Sequence, residues 1–174
     1  MAATTYDATI VVLQAILRTL THILHQAEQH PKSDTFLTSA RLHEDMYPLA
    51  DQIRLATQFS EFLVARLSGR PPVMFGGSPA TLAESYERIE TVQKALLEAD
   101  KDVVDQNGDK VEKTQAGPGV SVDMSGAAYA HTIVLPNVYF HLSTAYGILR
   151  KEGVPLGKRD YYEGFFPGLS AGSQ

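Results

Sequence analysis

The chain has 174 residues, and its 44% apolar and 20% charged residues are the proportions of an ordinary folded domain rather than a disordered segment. A formal net charge of −5 with no run of Lys or Arg argues against nucleic acid as a partner, since phosphate binding needs a concentrated positive surface. The absence of cysteine excludes disulfides, thiolate zinc sites and a cysteine nucleophile, and it fits a reducing compartment, so the cytoplasm is the expected location.

The length suits one domain, expected over 1–168, that buries roughly two-thirds of its unfolded surface without staples. The last six residues, LSAGSQ, read as a disordered end. At the N-terminus, MAATTYDATIVVLQAIL has no basic residue ahead of its apolar run, which argues against a secretory signal. Uninterrupted apolar runs of only a few residues fall short of the roughly 20 that span a bilayer, so no membrane segment is expected.

A first helix is expected over 4–29, with Thr4 or Thr5 as N-cap and Asp7 in the first turn, where a carboxylate suits the positive end of the helix dipole. Ile10, Leu13, Leu17, Leu20 and Leu24 form its core stripe, while Gln14, Arg18, His22, His25 and Gln29 share the other side and read as a solvated face. His30-Pro31 closes it. A second long helix is expected over 36–68, with Leu42, Met46, Leu49, Ile53, Ala56, Phe59 or Ser60, Leu63 and Leu67 inward and a break or kink near Tyr47 imposed by Pro48. Asp45 and Gln52, seven apart and about 20° from alignment on a 3.6-residue helix, flank its apolar stripe as a polar pair.

Gly69 and the following RPPVMFGGS make a turn. Ser78-Pro79 offers an N-cap with proline at the first helical position, and Thr81 with Glu84 a capping box one step later, so a third helix is expected from Thr81 to about Ala99, with Glu84, Glu87, Arg88, Glu90, Lys94 and Glu98 as its charged solvent face. Residues 100–124 change character. Asn107-Gly108 and Gly117-Pro118-Gly119 punctuate short alternating runs, which reads as a small β-arm, with Asn-Gly as the hairpin signal, or as an ordered loop. Ser125 then caps a last helix that runs to Lys151, and the tail beyond it, with Tyr161, Tyr162, Phe165 and Phe166, is expected to dock on the bundle or on a second subunit. The fold class is all-α: an antiparallel four-helix bundle with a small β-arm or loop between the third and fourth helices.

The stretch Ser125 to Arg150 is where a site is expected, because aromatic and protonatable residues are interleaved there at helical spacing around a proline. Pro136 cannot donate to the carbonyl of Thr132, so a kink with a freed acceptor is expected near Thr132. Asn137 and His141, four apart, share a face and can act on one ligand. Histidine titrates near neutrality and is a common metal ligand, so His141 is the candidate general base and Asp45 the carboxylate that orients it. Gln52, Asn137, His131, Tyr139 and Tyr146 complete the candidate ligand-binding set. The bland readings stand beside these: His141 as a core histidine bonded to a buried carboxylate, His131 at a helix surface, and the two tyrosines packed with hydroxyls at the rim.

Tyr6-Asp7, the segment ARLHEDMYPLADQIRLAT from Ala40 to Thr57, and LPNVYFHLSTAYGILRKEGVPLGKRDY from Leu135 to Tyr161 together resemble an uncharacterised DinB-like family of fungi and bacteria, over essentially the whole chain. The resemblance implies a DinB/YfiT-like four-helix fold, often dimeric, in which many relatives hold a divalent metal with three histidines and some transfer thiols or act on small molecules. That superfamily places one histidine on helix two and a His-x3-His pair on helix four. Here Asn137 and His141 occupy the pair, and helix two offers Asp45, Asp51 or Gln52. A three-histidine site is not evident, and the weaker set Asp45, Gln52, Asn137 and His141 suits a harder divalent ion or no metal. The function expected is therefore that of a small-molecule enzyme using general acid/base chemistry, of isomerase, cyclase or dehydratase type, or divalent-metal-assisted chemistry such as thiol transfer. The alternative is a non-catalytic ligand-binding or dimeric interaction protein whose polar core only fixes helix register.

Overall fold

The computed structural model describes residues 3–166. The disordered end expected at 169–174 lies outside the described residues. Apart from one two-stranded hairpin the structure is helical, and its four longest helices, α1 (Thr5–Glu28), α3 (Leu49–Leu67), α4 (Leu82–Leu97) and α7 (Leu135–Lys151), pack in a ring: α1 on α4 and α7, α3 on α4 and α7. The stripe read from α1 lies fully inside this ring, where Ile10, Leu13, Leu17, Leu20 and Leu24 meet Ile53, Leu63, Ile89, Val92, Leu142 and Ile148. Thr4 and Asp7 close a reciprocal cap at its start. By length and composition α1 could cross a membrane, at mean hydropathy 1.3, but 56% of that window is buried inside the fold.

Two faces read as solvated are covered. Arg18 donates to the Gly164 carbonyl, and His22 Nε2 lies 2.8 Å from Asp160, because the tail folds back along α1 through the short helix α8 (Lys158–Tyr162). The aromatic tail docks on the chain's own helices, Tyr146 standing edge-on to Tyr161 and Tyr139 stacking on Phe165. On α4, Arg88 is buried: its guanidinium donates to the Gly76 and Gly77 carbonyls and covers Phe75, pinning the preceding loop.

The second helix expected over 36–68 is two. A short α2 (Ser33–Ser39) ends before Pro48, and 40–48 is irregular, leaving Leu42 exposed. Proline explains where this gap ends. It cannot donate within a helix, yet it stands well at the start of one, and Pro48 is the N-cap of α3 at φ −69°. Gly69, at φ 68°, ends α3 in the left-handed conformation that glycine adopts without strain.

Asn107-Gly108 is not a hairpin turn but the last turn of α5 (Lys101–Asp109). Gly108 is there for space: a Cβ would stand 2.5 Å from Thr5 Oγ1. The hairpin lies just beyond, β1 (Val111–Gly117) antiparallel to β2 (Val120–Ser125), turning at Pro118-Gly119 with an irregularity between Gln115 and Gly117. Ser125 caps the helix that follows, accepting from the Ala128 N–H. That helix is continuous but not uniform: α6 (Gly126–Tyr129) passes into a π-helical turn (Ala130–Val134) and then α7. Pro136 has no N–H to offer, and the ladder ahead of it shifts register, with Leu135 N–H reaching the Ala130 carbonyl five residues back.

Candidate functional site

The closest helix pairing in the molecule is α3 with α7, and His141 sits in that seam at 6% exposure. Its ring lies parallel to Phe59 at 6.4 Å and edge-on to Phe140 at 5.3 Å. One polar partner reaches it: Nδ1 is 2.8 Å from Gln52 Oε1. Gln52, itself 2% exposed, donates through Nε2 to the Tyr47 carbonyl at 2.9 Å. With the amide nitrogen committed to a carbonyl, Oε1 must be the atom facing the ring, and an oxygen without hydrogen can only accept. The proton therefore sits on Nδ1, and Nε2 carries a lone pair. Nε2 has no partner among the described residues and is not among the sealed, unsatisfied atoms, so it remains reachable.

Burial and, secondarily, the nearby Arg54 guanidinium lower the ring's pKa to about 4. Arg54 is itself held by Asp51 at 2.9 Å and by Ser78. The imidazole is thus neutral at physiological pH, and any positive charge placed on it meets both desolvation and a neighbouring cation. His141 lines a cavity of about 190 Å³ with Asp45, Met46, Tyr47, Gln52 and Phe140.

The other expected site residues divide. Gln52, rather than Asp45, orients the imidazole. Asp45 lines the same cavity, but its side chain is 80% exposed and bonds His43 Nδ1 at 2.7 Å, because the chain around it is loop and not helix. Asn137 shares a helix face with His141, yet its amide donates to the Ile133 carbonyl at 2.7 Å, four residues back in the π-helical turn, so the nearer acceptor takes it. His131 is exposed on the π-helical turn, Tyr139 is occupied with Phe165 and Tyr146 with Tyr161, and none of these lines the His141 cavity. Met46, Tyr47, Phe59 and Phe140 surround the imidazole; the sequence placed Met46 and Phe59 or Ser60 on the core stripe and Tyr47 at the break, but gave none of them a part in the site. Phe140 adjoins His141, and Tyr47 precedes the helix-starting proline, which were the available signals.

The residues do not fit a three-histidine metal centre. Among the described residues no group of three His, Cys, Asp or Glu is placed to hold one ion. Asn137 and Gln52, which stand where such ligands would be sought, have their amides engaged with Ile133, Tyr47 and His141.

A helical chain of this architecture, with a polar seam between two facing helices, has a close counterpart in the crystal structure of a DinB family member protein from Shewanella denitrificans, 32% identical and covering 90% of each chain at a TM-score of 0.80. The chain belongs to DUF1993, a domain family of unknown function whose model matches residues 5–162, and it is DinB-like in structure. No functionally curated protein matches it.

Proposed function

We propose that the chain is a DinB-type antiparallel four-helix bundle that takes a small organic molecule into the His141 cavity, and that His141 Nε2 accepts a proton or a hydrogen bond from it. The observation that carries this reading is the Nδ1 to Gln52 Oε1 bond, which leaves the lone pair on the reachable nitrogen. A base with a pKa of about 4 is fully available at neutral pH but weak. It suits a donor that is itself acidified, such as the central C–H of a 1,3-dicarbonyl compound or its enol, whose transfer would begin an isomerisation or dehydration. Met46, Tyr47 and Phe140 offer the ligand's body an apolar bed, and Asp45 stands at the rim as a carboxylate open to water. A divalent ion would find one imidazole nitrogen and at most that carboxylate.

The weakness of the base also favours a second reading, in which the cavity binds its ligand without turning it over. We place either protein in the cytoplasm, in line with its lack of cysteine, acting on a small molecule rather than on nucleic acid or membrane, as a monomer or a homodimer.

The test is exchange of carbon-bound hydrogen in D2O, followed by proton NMR on a panel of small 1,3-dicarbonyl compounds with wild type and His141→Ala. Faster exchange with wild type supports proton transfer by His141. Saturable binding that His141→Ala abolishes, without exchange, supports the binding reading. Equal binding and exchange by both proteins contradicts the site.

A further inference from the structure

A second, larger cavity of about 610 Å³ lies on the other side of Phe59, between the C-terminal half of α3, the hairpin and the π-helical turn. Its volume falls within the usual range of small-molecule pockets. One wall is apolar and aromatic, built from Phe59, Phe62, Tyr129 and Ile133. The other is basic, with Arg66, Arg70, Lys110 and Lys113.

The charges do not cancel. Arg70 is matched by the buried Glu61, which takes both its terminal nitrogens, at 2.6 and 3.0 Å. Arg66 and Lys110 share one carboxylate, Glu112, at 3.8 and 2.8 Å. Lys113 has no ion-pair partner among the described residues, and Asp123, opposite it in the strand register, does not line the cavity. Four cations and one carboxylate, Glu112, thus line the cleft, with Glu61 pairing Arg70 from behind, in a chain whose net charge is −5.

The two arginines are also fixed in place, Arg70 by Glu61. Arg66 donates to Thr114 Oγ1 and to the Met124 carbonyl, both at 2.7 Å, and its guanidinium lies 4.7 Å from the centre of the Tyr129 ring. Tyr129 has no hydrogen-bond partner for its hydroxyl among the described residues, nor is that hydroxyl among the sealed atoms, so it is an open donor. Burial raises its pKa, more than the Arg66 charge lowers it, and keeps the proton on. The π-helical turn that adjoins the cleft is an irregularity of a kind that recurs at functional sites.

We propose that this cleft is a second binding site, for a small aromatic carboxylate: its ring lies against Phe62, Tyr129 and Ile133, and its carboxylate meets Lys113 and the Arg66 edge. An excess of cations over lining carboxylates suits one carboxylate, and flat apolar walls give a bare oxyanion nothing to recognise.

Naphthalene-2-carboxylate, titrated into the intact protein at constant ionic strength and followed by two-dimensional NMR, tests this. The expected result is saturable binding with Kd below about 1 mM, with shifts centred on Phe62, Tyr129 and Ile133. Naphthalene-2-carboxamide, of the same shape without the charge, should bind at least about tenfold more weakly, and Lys113→Glu, on an exposed strand position, should weaken the acid by about as much. Inorganic phosphate should not displace it. Absence of saturable binding, equal binding of acid and amide, unchanged affinity in Lys113→Glu, or displacement by phosphate would each overturn the proposal.

Discussion

His141 and His22 each tie one segment of the chain to another through a single ring hydrogen bond, at the same 2.8 Å, and they do opposite things. His141 is buried between two helices and its partner is a neutral amide, so nothing compensates a charge on the ring and the imidazole is held neutral with its other nitrogen bare. His22 is half-buried beside a carboxylate. Burial alone would raise the Asp160 pKa, but His22 and the Gly157 N–H outweigh it and hold that carboxyl below its ordinary value. The partner, more than the histidine, decides whether the pair is a chemical group in waiting or a strap for the tail.

The difference is largest in acid. The unfolded chain protonates His141 near the ordinary value of 6.5, whereas the folded chain resists until about pH 4, so the unfolded state binds more protons across that window. Stability should be untouched above pH 6.5 and fall by up to about 3 kcal/mol on going down to pH 4. Urea unfolding at a series of pH values measures it, and His141→Gln should flatten that part of the profile. The Asp160 contribution has the same sign but a lower window: it is present above the ordinary carboxylate value and lost as pH falls below it.

Swapping partners sharpens the contrast. Gln52→Leu strands a buried Nδ1–H and should cost about 1–3 kcal/mol in urea unfolding. Gln52→Glu puts a carboxylate against the ring, as at His22, and should raise the His141 titration midpoint, read by histidine NMR. Asp160→Asn removes only a partly exposed carboxylate beside His22. It should cost about 1 kcal/mol or less, while amide exchange quickens over 158–166 and the effect shrinks in high salt. Smallest of all, Asp45→Asn should change stability by less than about 0.5 kcal/mol, because its bond to His43 is exposed to water.

How much of this was legible in the sequence follows from where periodicity speaks and where it is silent. The core stripe of α1, the caps at Thr4, Thr81 and Ser125, and the stop at Gly69 are local signals, and each reads correctly because the physics is local. His141 and Gln52 were singled out by their placement beside apolar stripes, but their pairing spans 89 residues and no helical period reports it. Asp45 fell on an extrapolated helix that Pro48 had already ended. Asn107-Gly108 carried a turn signal whose real cause was the close approach of Thr5, which only the packed chain reveals. The covered faces of Arg18, His22 and Arg88 were misread for the same reason: a polar residue beside a core stripe looks solvated until something folds over it.

The central claim is the protonation of one ring. Nitrogen-15 NMR of selectively labelled histidine, with His141→Gln to assign its signal, reports tautomer and titration together. A neutral imidazole protonated on Nδ1, with Nε2 bare and a midpoint near pH 4, is the expected result. A ring protonated on Nε2, or one that titrates near 6.5, would contradict it.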